Sequence, residues 1–140
     1  MPGFWRVTSV YGLAAILSEA LLLLASGITF RSGTGVFYAI CLILSLLCPA
    51  LVAGLGFGRH SGRAPVSSEA WRFGGWFAAL QGALTGLLVL FIAQDFLAEE
   101  PDGAVILAVI VVVYTLAALL ISRYAFPFGA RQAVRAWGPR

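Results

Sequence analysis

The chain has 140 residues, enough for one domain of ordinary size, and a formal net charge of +3. Hydrophobic residues make up 61% of it and charged residues 11%, with a mean hydropathy of +0.96, whereas a soluble domain carries roughly 25% charged residues. That balance excludes a soluble globular domain and requires lipid around the chain.

A bilayer core of about 30 Å calls for roughly 20 mainly apolar residues per helical span. Four runs meet that length, over residues 7–30, 35–57, 73–97 and 104–126. The first is long for the apolar part of a signal peptide and carries Glu19 near its middle, so it reads as an uncleaved helix. Arg31, Ser32, Gly33, Thr34 and Gly35 form a tight turn into the second run. That run contains Cys41, Ser45, Cys48 and Pro49; the two cysteines are two helical turns apart, too far for a disulfide, and read as buried thiols. Pro49 removes its own N–H and frees the carbonyl of Ser45, which predicts a bend.

Residues 58–68 make a polar, basic loop. Pro65, Ser67, Ser68 and Glu69 then read as a helix start, with a serine cap and a Glu69–Arg72 pair. His60 is the one histidine, and without acids or cysteines near it in sequence it reads as a solvated loop residue. Glu99, Glu100, Pro101, Asp102 and Gly103 make an acidic turn in which Asp102 is placed to cap the fourth span. After Pro127 and Gly129, the basic tail 127–140 fits a short interfacial helix, with Arg131 and Arg135 on anionic head groups and Trp137 as an anchor.

Charge sets the expected orientation. Four spans put the N-terminus, middle loop and C-terminal tail on one side, and eight of the nine arginines fall there (Arg6, Arg59, Arg63, Arg72, Arg123, Arg131, Arg135 and Arg140). Arg31 lies opposite, beside Asp95, Glu99, Glu100 and Asp102. Both termini are therefore expected in the cytoplasm. Lysine and asparagine are absent; because their codons both begin with AA, this points to a GC-rich genome and a bacterial inner (plasma) membrane. The predicted fold is an all-α, four-helix integral membrane bundle, N-in and C-in, closing with the interfacial helix.

Helices in lipid associate through small residues and interhelical hydrogen bonds. Gly74, Ala78, Gly82 and Gly86 recur every four residues in the third span and read as a packing stripe, within the bundle or between copies. Gly12, Ala15, Glu19 and Ser26 form a related face, as do Ala50, Gly54 and Gly58. Glu19 is the residue needing an explanation, because an isolated charged acid at mid-membrane costs several kcal/mol, by analogy with the roughly 2.5–3.5 kcal/mol quoted for Asp. It must face inward and either carry a proton or find partners. Gln81 and Thr85 bracket it in depth, and Ser18, Ser45, Tyr114 and Thr115 lie near the same level. The expected cluster is Glu19 with Gln81 and Tyr114, either as a proton- or substrate-binding site or as glue between helices.

No phosphate-binding glycine loop, nucleophile elbow, metal-ligand cluster or nucleic-acid signature occurs. No enzyme activity, metal, cofactor or nucleic-acid partner is expected, and the bilayer's phospholipid is the default partner. Residues 58–69 (GRHSGRAPVSSE), with His60, Arg63, Pro65 and Glu69 in an H-x-x-R-x-P-x-x-x-E pattern, resemble an uncharacterised family of small bacterial four-helix inner-membrane proteins. That resemblance implies a fold and no activity. The segment Ala15, Ile16, Leu17, Ser18, Glu19 is similar to the first helix of the small multidrug resistance transporters, from which the basic loop and tail differ; it implies an essential membrane glutamate. Two functions therefore stand as expectations. The first is an accessory component of a larger membrane complex; the alternative is a small proton-coupled transporter using Glu19, as a homo-oligomer.

Overall fold

The computed structural model describes residues 3–32 and 35–138, the side chains at 28–32 and 38 excepted. Among the described residues five helices follow in order: α1 (Phe4–Ser32), α2 (Gly35–Ser61), α3 (Ser67–Ile92), α4 (Gln94–Glu99) and α5 (Gly103–Trp137). Among the described residues there is no strand. α2, α3, α5 and the 24 described residues of α1 from Phe4 to Gly27 are long and apolar enough to cross a membrane. The chain is a multi-pass, all-α membrane bundle. The turn expected at 31–35, and the charges of Arg31 and Arg140, lie wholly or partly outside the described residues.

α5 shows why lipid dictates helix. Its stretch from Val105 to Val113 is rich in β-branched residues, which in water favour strands. A spanning segment must satisfy every backbone group internally, and an open strand cannot. The helices form a ring in the order α1, α2, α5, α3, with short α4 against α3 and α5. One end of the ring holds the start of α1, the end of α2, the start of α3 and the end of α5; it is called here the arginine end. The other is the acidic end.

The two ends pack differently. At the arginine end Val7, Tyr11, Ala53, Phe57, Phe73, Phe77, Phe126 and Ala130 form one buried core. The rings of Phe73 and Phe126 lie 4.9 Å apart, and Phe57 and Phe77 meet Phe126 edge-on at 5.5 Å. The buried residues of α3 all lie between Ala70 and Gln81, and those of α5, Gly103 apart, between Ala118 and Ala133. The helices are thus clamped at the arginine end and looser towards the acidic end.

The clamp is made by small residues. A Cβ on Gly54 would overlap the carbonyl oxygen of Phe126, and one on Gly58 that of Ala130. On the facing helix, a Cβ on Gly129 would come within 2.5 Å of the Leu51 carbonyl. Ala50, Gly54 and Gly58 on α2 therefore meet Ala125, Gly129 and Ala133 on α5, two stripes of spacing four that let the backbones touch. The expected stripe on α3 also faces α5. Gly74 abuts the Arg123 backbone, Ala78 joins Leu46 and Ala118, Gly82 abuts the Thr115 side chain, and Gly86 lies near Val111.

Several local expectations are corrected. The tail is not a separate interfacial helix: α5 runs through Pro127 to Trp137 without a break. Burying Phe126, Ala130 and Ala133 against α2 offsets a mid-helix proline, which costs about 3 kcal/mol. The third span ends at Ile92, and the polar residues after Ala93 start the short α4. Neither Ser67 nor Ser68 caps α3. Val66 holds the N-cap position, and Glu69 reaches back to accept its N–H at 3.0 Å. Glu69 pairs at 2.8 Å with Arg63 rather than Arg72, because the loop carries Arg63 back over the Phe57 ring. That carboxylate raises the pKa of Arg63. The turn into this loop uses Gly62, whose φ of 64° suits glycine and whose N–H closes onto the Gly58 carbonyl. Asp102 stands at the N-cap of α5, but its side chain makes no capping bond. Cys41 is half-buried and Cys48 exposed, not buried thiols, because the inward face of α2 runs through Ser45, Leu46, Pro49 and Ala50.

Candidate functional site

The inward face of α1 is a row of Val7, Tyr11, Ala15, Glu19, Leu22 and Ala25, spaced by three and four residues. That periodicity carries Glu19 into the bundle, where it is 6% exposed. α3 places Gln81, fully buried, one turn beyond Phe77 on its own inward face. α5 supplies Tyr114 and α2 supplies Ser45, so each spanning helix contributes a polar side chain to one layer.

The hydrogen bonds of that layer converge. Glu19 Oε1 accepts from Gln81 Nε2, from the Tyr114 hydroxyl at 3.0 Å and, at a long 3.5 Å, from Thr85 Oγ1. Gln81 Nε2 also approaches the Tyr114 oxygen at 3.4 Å, and Ser45 Oγ lies 3.2 Å from it. Every group on Glu19 donates, which complements a carboxylate that only accepts. Among the described residues no cation pairs with it, and its second oxygen, Oε2, takes no hydrogen bond.

Above this layer, towards the acidic end, a cavity of about 340 Å³ opens between the helices. Glu19, Thr85 and Tyr114 form its floor; Leu22, Leu88, Leu107 and Ile110 form its walls; Ser26 and Ile92 lie near its mouth. Apart from the floor and Ser26, its lining is apolar. This size falls at the low end of the roughly 300–1,000 Å³ typical of small-molecule sites. The arrangement offers one anionic, acceptor-rich point at the bottom of an apolar pocket, suited to a proton or to a cation with a greasy body.

The structure thus brings Glu19, Gln81 and Tyr114 together. Ser18 and Thr115 stay out of the cluster, with Thr115 bonding the Val111 carbonyl of its own helix. Tyr11 was missed by sequence reasoning. Its hydroxyl donates to Gln81 Oε1 at 3.4 Å, and its ring stacks on Phe77 with centroids 4.0 Å apart. The signal was present, since Tyr11 lies two turns before Glu19 on the same face. Arg131, Arg135 and Trp137 are exposed on the last turns of α5, and the Trp137 ring lies under Arg59. Among the described residues no three of His, Cys, Asp and Glu gather as metal ligands.

Compared with protein-family models, with curated proteins and with solved structures, the sequence and fold match none.

Proposed function

We propose that the chain is a small carrier of a bacterial plasma membrane, both termini in the cytoplasm, that exchanges a lipophilic cation for a proton at Glu19. One observation carries the reading: an acid without a counter-charge lies at the floor of an apolar cavity in the middle of the bundle. A charge left so in low dielectric is costly, and a proton or a bound cation removes the cost. The apolar walls then select a ligand whose body is itself apolar. Support for the orientation comes from the eight arginines grouped on one side. The likeness of the Glu19 segment to the small multidrug resistance transporters agrees with the chemistry. An accessory subunit using Glu19 as its contact would need that residue on the outer surface, and it is buried.

The test is calorimetric titration of the purified protein in detergent with tetraphenylphosphonium. Binding is expected, weakening as the pH falls because protons compete for the same carboxylate, and Glu19→Gln abolishes it. Undiminished binding by Glu19→Gln would sink the proposal. Purification in fixed stoichiometry with a larger complex, without any cation binding, would return the chain to an accessory role.

A further inference from the structure

A second cavity, of about 450 Å³, lies at the arginine end between α1 and α2. Its polar rim carries Arg6, Arg59 and His60, and its inner wall is Val7, Val10 and Ala53 with the bare backbone of Gly56. Neither arginine has a carboxylate partner; among the described residues the ion pair is that of Arg63 with Glu69. Arg59 lies over the Trp137 ring, 5.6 Å from its centroid. Two unpaired guanidinium groups and an imidazole at one mouth match phosphate oxygens, which such forks bind in charge-assisted hydrogen bonds.

We propose that this groove is a site for one anionic phospholipid, its phosphate at Arg6, Arg59 and His60 and the top of an acyl chain along Val7, Val10 and Gly56. A free phosphate has the same head chemistry. The lipid is favoured because the apolar wall continues from the rim along two membrane-spanning helices, which a soluble anion would leave empty. Gly56 marks the difference within one helix. Gly54 and Gly58 face α5 and admit no Cβ, whereas a Cβ on Gly56 meets nothing within 4 Å and points into open space. Its lack of a side chain serves no helix contact, and it keeps the groove open. This site lies apart from Glu19 and does not depend on the carrier reading.

The test is native mass spectrometry of the intact protein, titrated with phosphatidylglycerol, with phosphatidylcholine of the same chains, and with inorganic phosphate. One phosphatidylglycerol is expected to be retained about tenfold or more over phosphatidylcholine, whose phosphate is the same but whose choline cation would lie against the two guanidinium groups. The preference should collapse both in Arg6→Gln/Arg59→Gln and in Gly56→Phe, which fills the groove while leaving the α2–α5 contact intact. It should persist in Arg131→Gln/Arg135→Gln. Equal retention of the two lipids would overturn the proposal, as would a preference that survives Gly56→Phe or follows Arg131 and Arg135. Inorganic phosphate binding there and displacing the lipid would make it a soluble-anion site, which also overturns it.

Discussion

Three donors converge on one oxygen of Glu19, Oε1, and the same residue lines the cavity, so the groups that hold the side chain can be altered without altering the acid itself. Tyr114 has the shortest hydroxyl bond to the acid and is itself braced by Ser45. Tyr114→Phe keeps the ring and removes the donor. Interhelical hydrogen bonds in membranes average about 0.6 kcal/mol and reach about 1.7 kcal/mol. A loss in that range is expected, read as a lower unfolding midpoint in detergent, together with weaker cation binding. An unchanged midpoint would mean that the hydroxyl does not hold Glu19. Gln81→Leu should cost more, about 1–3 kcal/mol, because it removes a donor to Glu19 and leaves the buried Tyr11 hydroxyl without its acceptor.

At the scale of elements, the α2–α5 seam is the least forgiving contact. The backbones approach so closely that Gly54, Gly58 and Gly129 leave no space for a methyl group. Gly54→Leu must push α5 away from α2 and is expected to cost at least the 1–3 kcal/mol or so typical of overpacking. Gly56→Leu, two residues on, should lose nothing. The comparison needs only expression level and unfolding midpoint for the two proteins, and equal behaviour would contradict the seam. α5 also explains why the tail was misread. Pro127 and Gly129 are helix-ending signals in isolation, yet Ala125, Gly129 and Ala133 repeat the spacing of Ala50, Gly54 and Gly58, and packing decided the outcome.

For the whole molecule, the arginine end is packed around its aromatic core except at the groove between α1 and α2, and the acidic end is looser around the cavity over Glu19. α5, with 35 residues, is about 52 Å long at 1.5 Å per residue, well beyond the roughly 30 Å bilayer core. With its acidic end at one membrane surface, its last turns stand clear of the core on the arginine side, and the proposed orientation puts that side in the cytoplasm. A cysteine introduced at Ala98 should then react in intact cells with a membrane-impermeant thiol reagent, while one at Ser61 reacts only after the cells are opened. The reverse pattern would invert the orientation and place the cavity towards the cytoplasm. Hydrogen exchange in detergent should be slower for residues 118–133 than for 103–112, because fewer side chains cover the latter.

Composition and hydropathy alone determined that this is a four-helix membrane bundle, because lipid leaves a chain with four long apolar runs almost no alternative to helices. Depth was legible too: counting along helices places Glu19, Gln81 and Tyr114 at one level. What counting cannot supply is rotation about each axis and which neighbour each face meets. Those depend on contacts between residues far apart in sequence, such as Gly54 with Phe126 or Glu19 with Tyr114. The tertiary structure alone decided that Arg63 rather than Arg72 meets Glu69, that Cys48 faces outward, and that the helix continues past Pro127. It also decided that both cavities exist, since a cavity is the space left where helices fail to touch.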